Sequence, residues 1–325
     1  MQNKWKFNLK SLIIFAFILT IFVYLSYLWL PLTPRKIKIG ATYMTLNNSF
    51  YGVINEELKK KVNIRGDILY TRNPGLNVTK QCQEIDDFIA KKVDVIVINP
   101  VDGENHKLAK TLFKAKKAGI KIIEVDSQLK NKQIADCSIV SDNYQAGKLI
   151  ASNLIKKAPR ANIVLLEHGN ALSVKERYQG FSDTLKSQNN YQNNYHILTK
   201  IETLGQTEVT LPKVKHYFAL ATTANTIVAL DDQSAVGALA ALDALQLNRP
   251  INVYGIDGSA TMKRLLETNP NAQATVAQSP INLGKKTANA CYQLAFNKPV
   301  KRNIIVPVYL LTQKNIQNYD VSGWQ

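Results

Sequence analysis

Six β-rich runs in this chain break off into abrupt polar turns, and the side chains in those turns are the ones equipped for chemistry. Run 36–41 leads into TLNNSFY, 93–98 into NPVD, and 121–125 into Asp126. Run 226–230 leads into Asp231 and Asp232, 252–256 into Asp257, and 274–277 into Gln278. One such ending is an ordinary solvated loop. Open parallel sheets, however, hold their ligands at the carboxyl ends of strands. A series of endings that offers Asn, Asp and Gln beside aromatic rings reads as a crevice lined for a polyhydroxylated molecule.

The elements that must position these turns follow from the alternation of short β-rich runs with amphipathic helical patterns over residues 36–325, which predicts parallel βαβ units. The first strand buries Ile37 and Ile39, and the chain turns at Asn47, Asn48 and Ser49. A helix then starts near Phe50, with Phe50, Val53, Ile54 and Leu58 on one face and Asn48 or Ser49 as its N-cap. A helix over 79–92 precedes the buried strand VDVIVI, and another ends at Gly119 before KIIEV. The pattern restarts near 137–143, with a helix over 144–157 and a strand over 162–166; the polar stretch SQNNYQNNY at 187–195 reads as a surface connection. Two successive α/β sets of similar size predict two lobes rather than one long sheet.

Composition narrows the classes. With 46% hydrophobic and 20% charged residues among 325, the chain has enough apolar surface for a large core. Basic residues outnumber acidic ones 41 to 24, but runs such as Lys59, Lys60 and Lys61 or Lys114, Lys116 and Lys117 read as solvated helix faces. No aromatic-interleaved basic patch or nucleic-acid motif is present, so nucleic acid is not an expected partner. Cys82, Cys137 and Cys291 are widely spaced and odd in number, without CxxC or metal-ligand spacing, and Cys82 shares its helical spacing with Ile85 and Ile89 as a small buried hydrophobe. His106, His168, His196 and His216 lack metal spacing and are expected in surface or ordinary structural roles. There is no GxGxxG, Walker-A loop or GxSxG elbow, so no cofactor and no catalytic metal are expected.

The amino terminus differs from the rest. Ser11 to Pro34 holds no charged side chain, and its 24 residues would extend roughly 36 Å as a helix, enough for a hydrocarbon core of about 30 Å. The run ends in the bulky YLWLPLTP, with no A-x-A cleavage pattern and no cysteine to take a lipid. Trp5 and Trp29 lie near its two ends, as interfacial aromatics do. The expectation is an uncleaved signal anchor over residues 1–35, with the remainder extracytoplasmic.

The stretches TLNNSFYG, DVIVINPVD, EVDSQ, SDNYQAGK, VKERYQGF, ALDDQSAVGALAAL, VYGIDGS and ATVAQSP occur in the order of a known family. Through them, nearly all of residues 36–325 resembles the type I periplasmic sugar-binding proteins of the ribose- and galactose-binding kind. That resemblance implies two Rossmann-like lobes with parallel sheets, joined by a three-strand hinge and closing on a sugar. The first lobe would take 36–140 and 279–307, the second 141–278 and 308–325. Position in the motifs implies ligand contacts at Asn48, Phe50, Tyr51, Asp126, Arg177, Asp231, Asp257 and Gln278. The chemistry of these side chains agrees. Phe50 and Tyr51 suit the apolar C–H face of a sugar ring, and Asp126, Asp231 and Asp257 accept from hydroxyls. Arg177 offers a fork of donors, while Asn48 and Gln278 both donate and accept. Asn99 and Asp102 are expected to shape their turn, and Asp232 to cap the following helix.

Two positions depart from the ribose-binding pattern. Ser127 stands where those proteins carry arginine, and Asp231 where they carry asparagine. One cation is lost and one anion gained, so the expected ligand is another pentose, a hexose, or an amino sugar whose ammonium pairs with Asp231. Three carboxylates at one crevice also suit glycoside hydrolysis, but no hydrolase signature accompanies them, and no enzyme is expected. A lactose-repressor-like regulator has the same core architecture but would carry a DNA-binding domain where this chain has its apolar span. Two membrane partners remain open: the permease of an ATP-binding-cassette (ABC) sugar importer, and a sensor histidine kinase.

Overall fold

A run that is apolar at every position, as in Val95–Ile98, fits a strand covered by helices on both faces. All four of its residues are buried in the computed structural model, which describes residues 8–29 and 35–324. This strand, β3, lies at the centre of a parallel sheet with β1 (Lys38–Thr42), β2 (Ile68–Arg72), β4 (Lys121–Val125) and β5 (Cys137–Ser141). Their order is β2-β1-β3-β4-β5, and β11 (Asn303–Val306) adds in parallel outside β5. The second sheet repeats that winding with β6 (Ala161–Glu167), β7 (Tyr195–Glu202), β8 (Thr226–Ala229), β9 (Asn252–Asp257) and β10 (Ala272–Ala277). Its order is β7-β6-β8-β9-β10, closed by the antiparallel β12 (Tyr309–Thr312). The molecule is therefore two α/β lobes. Each sheet reverses its winding direction once, between β1 and β3 in the first lobe and between β6 and β8 in the second. Crevices form at such switch points.

Helices α2 (Ser49–Arg65), α3 (Val78–Ala90), α4 (His106–Lys117) and α11 (Pro280–Ala295) cover the first sheet. The second carries α5 (Asn143–Lys157), α6 (Leu172–Lys186), α8 (Thr207–Ala219), α9 (Asp232–Leu245) and α10 (Ala260–Thr268). Start signals are local. Asn48 caps α2 by accepting from the Phe50 N–H at 2.9 Å, and Gly66 in the left-handed conformation ends it. The polar stretch 187–195 is not wholly irregular, because α7 (Tyr191–Asn194) forms a single turn within it. The chain passes between the sheets three times: after β5, after β10, and between β11 and β12.

Close helix packing matters at one point. A Cβ on Gly147 of α5 would collide with the Arg177 backbone carbonyl, and one on Gly180 of α6 with that of Tyr144. Two bare backbones thus let α5 and α6 touch, which sets the height at which the Arg177 side chain leaves its helix. The three cysteines are free and buried.

After β12, a 3₁₀ turn at Ile316–Asn318 buries Ile316 in the second lobe's core, with Tyr319 and Val321 packed against it. Lys263 on α10 is fully buried and donates to the carbonyl oxygens of Asp320 and, at 2.6 Å, Gly323. The tail so held brings Trp324 edge-on to Phe50 of the first lobe, with ring centroids 5.5 Å apart.

The amino-terminal unit is separate. Helix α1 (Leu9–Trp29) has no charged residue in its last turn, and its stretch Leu9–Tyr27 is long and apolar enough to cross a membrane. A signal sequence meets the same criterion. Trp5 lies outside the described residues.

Candidate ligand-binding site

Carboxyl ends of strands from both lobes meet at one cleft, which holds about 480 Å³ of space free of atoms, counting the part open to solvent. The first lobe contributes Met44 and Thr45 after β1, Asn48, Phe50 and Tyr51 at the start of α2, and Asp126 after β4. The second contributes His168 after β6, Arg177 from α6, Leu204 and Gly205 after β7, and Asp231 and Asp257 at the ends of β8 and β9. Seven of the eight side chains singled out in the sequence line this cleft. The eighth, Gln278, stands behind it, its amide donating to Asp257 Oδ1 at 2.6 Å.

Asp126 takes a left-handed backbone conformation at φ 65°, a region that aspartate tolerates better than most residues at a strand-end turn. The turn aims its carboxylate into the cleft. There Oδ2 accepts from the Asn99 amide at 3.2 Å and from the Tyr51 hydroxyl at 3.4 Å. Asn99 is wholly buried, and its own Oδ1 accepts from the Met44 N–H at 3.2 Å. It therefore ties the turns after β1, β3 and β4 together. Burial pushes Asp126 above the usual carboxylate range despite the Arg177 charge and these hydrogen bonds.

Arg177 is 4% exposed and fixed by three partners of its own lobe. Nε donates to Asn143 Oδ1 at 3.0 Å, and Nη1 donates to the Leu230 carbonyl at 2.7 Å while lying 3.5 Å from Asp257 Oδ1. Asp257 also accepts from the Asp232 N–H at 3.3 Å. Burial raises its carboxyl well above the ordinary range, with Arg177 pulling the other way and Asp232 adding to the rise. Asp231, rather than Asp232, caps α9: its two oxygens accept from the Ser234 N–H at 2.8 Å and hydroxyl at 2.7 Å. Asp232 is buried, accepting from Thr275 Oγ1 and the Ser259 N–H, both at 2.7 Å, and burial pushes its carboxyl up to about 6. It braces the ends of β8, β9 and β10.

The aromatic wall is built within the first lobe. Phe50 meets Tyr51 edge-on at 5.7 Å, and Tyr51 stacks on Tyr43 at 6.3 Å. The Asn48 side-chain oxygen is occupied by the helix cap, so this residue presents its amide donors. Ser127, where ribose binders carry arginine, accepts from the Ser173 N–H at 3.3 Å across the cleft. The lobes also meet through Lys175 Nζ and Glu104 Oε2 at 3.0 Å.

His168, for which the sequence implies a surface or ordinary structural role, is 5% exposed and lines the cleft beside the expected contacts. The signal was available, because His168 follows the predicted strand 162–166 as the aspartates follow theirs. Among the described residues no His, Cys, Asp and Glu cluster is arranged to hold a metal ion.

The family profile described as "Periplasmic binding protein domain" matches residues 39–299. A ribose import binding protein, RbsB, of Bacillus subtilis is 24% identical over 282 residues, covering 86% of this chain and 88% of its own. A D-xylose-binding periplasmic protein of Haemophilus influenzae is 26% identical over 297 residues, covering 85% of each. Among solved structures, an ABC transporter solute-binding protein from Mycobacterium smegmatis with bound glycerol superposes with a TM-score of 0.82 at 21% identity, over 90% of this chain and 100% of its own.

Proposed function

Because the chain belongs to the periplasmic binding protein domain family, we propose that it is a membrane-anchored extracytoplasmic receptor that closes around one monosaccharide or cyclic polyol. The observation that carries this reading is the convergence of Asp126, from the first lobe, with Arg177, Asp231 and Asp257, from the second, on one cleft with an aromatic wall. Relatives named for ribose and D-xylose support the ligand class. Contacts from both lobes to one ligand favour the closed arrangement, so occupancy becomes a shape that a partner can read. No part of this role asks for bond making or breaking: the ligand is held, then released.

The partner is an ABC importer permease, a reading supported by relatives named as import binding proteins. A sensor histidine kinase is the second reading. It is favoured by α1, an apolar helix with no cysteine before Cys82 to take a lipid in its place. Co-purification of the full-length protein from membranes with one or the other separates the two.

The first test is thermal unfolding of the full-length protein in detergent against pentoses, hexoses, inositols and amino sugars. A ligand at ~100 times its dissociation constant adds ~2.7 kcal/mol to folding, an easily resolved shift. No shift with any of them, from protein shown free of carried-over ligand, overturns the sugar-receptor reading.

A further inference from the structure

Among the polar groups at the cleft, one imidazole nitrogen has no partner. His168 Nδ1 lies 3.3 Å from Glu202 Oε1, while Nε2 is buried without a hydrogen bond. Native structures leave few buried polar atoms unpaired, and each calls for an explanation such as an ordered water or a functional role. Its position sharpens the point. His168 follows β6 and Asp231 follows β8, so the two flank the place where the second sheet reverses its winding, the point at which such sheets bind ligands.

Glu202 decides what the nitrogen can do. Its carboxylate gathers donors: Gly169 N–H at 2.9 Å on Oε2, and Leu204 N–H at 2.8 Å on Oε1 beside the histidine. Burial opposes the charge of Glu202, but the hydrogen bonds from His168, Gly169 and Leu204 prevail and hold its carboxyl down to about 2. An ionised carboxylate only accepts, so Nδ1 must carry the proton it donates. In the neutral imidazole that leaves Nε2 with its lone pair. The same carboxylate fixes the loops that carry His168 and Leu204, both of which line the cleft.

We propose that His168 is a specificity-determining residue whose Nε2 accepts a hydrogen bond from one hydroxyl or amine of the ligand, with Glu202 as the positioning residue that fixes its tautomer. The proposal rests on the sugar-receptor reading and narrows it. The cleft then offers His168, Asp126, Asp231 and Asp257 as acceptors against the donors of Arg177 and Asn48. It selects ligands rich in donor groups, polyols and amino sugars, over sugar acids and phosphates, which would bring further anions to three carboxylates.

Calorimetry on the full-length protein in detergent tests this. The probe is whichever of D-ribose, D-xylose, D-galactose, myo-inositol and D-glucosamine binds most tightly, together with its mono-deoxy analogues. His168→Leu is expected to bind the parent about 10-fold more weakly or worse, since a buried donor loses its acceptor. One deoxy analogue should bind poorly to the natural protein yet lose little further affinity in His168→Leu, which identifies the hydroxyl read. His168→Gln, which keeps a hydrogen-bonding end at similar reach, should recover part of the loss. Glu202→Gln should blunt discrimination between parent and that analogue, a change that a merely structural role would not produce. Parent binding and a deoxy profile unchanged in a folded His168→Leu overturn the proposal while leaving the receptor reading intact. No binding of any probe to the natural protein overturns both.

Discussion

Asp257 is where binding and folding pull against each other. Its carboxyl is buried and its proton affinity raised, so above the ordinary aspartate pKa the native state holds a proton that the unfolded chain has released. Stability from this group is therefore full below the ordinary value and is lost as pH rises through the raised one. Asp257→Asn keeps the shape and removes the charge. Thermal unfolding without ligand should show the variant gaining on the natural protein as pH rises from about 4 towards 8. Measured at a pH above the raised value, where Asp257 is ionised, its affinity for the best sugar should fall at least ~10-fold, as expected for a lost hydrogen bond to a charged group. A stability difference independent of pH would show that Asp257 is not strained by its burial. Asp126 and Asp232 have raised carboxyls of the same cause, so the unliganded protein carries several groups that folding alone would not select. What the sequence made legible at this scale was identity: carboxylates, arginine and aromatics at strand ends. It did not reveal which oxygens were already taken, because that depends on contacts distant in sequence, such as Gln278 on Asp257 or Asn99 on Asp126.

At the scale of elements, local signals carried far. Asn48 was a capping residue by type and position, and it caps α2. The buried run VIVI could be a strand only between helices, and β3 is one. The strands with weaker patterns, β7 with its alternating burial and the short β11 and β12, carry little signal in the sequence, because edge strands exchange apolar continuity for solvent exposure. Nor was the crossing of α5 and α6 visible, since nothing marks Gly147 as a contact until Arg177 is seen against it. Gly147→Ala should cost about 1–3 kcal/mol by overpacking. Because the obstruction is the backbone of Arg177 itself, sugar affinity should fall along with the melting temperature. A variant that melts lower but binds the same sugar with unchanged affinity would show that Arg177 is seated by its hydrogen bonds alone.

Taken whole, the molecule is two lobes whose facing surfaces already touch, through Lys175 with Glu104 and Ser173 with Ser127. The carboxyl-terminal tail adds a contact of another kind. Lys263 grips it from within the second lobe, and its Trp324 rests on Phe50 of the first. An edge-on aromatic pair is worth about 0.5–1.5 kcal/mol, so Trp324→Ala should weaken sugar binding roughly 2- to 10-fold, mostly through faster dissociation. Stopped-flow release kinetics would show it; an unchanged off-rate would mean that the ring packs without restraining the lobes. The consequence reaches past affinity. A tail that pins one lobe to the other sets a dwell time for whatever the cleft holds, and it acts through Phe50, a side chain of the cleft itself. Displacing one tryptophan would loosen the seam between the lobes without first breaking any hydrogen bond in the cleft.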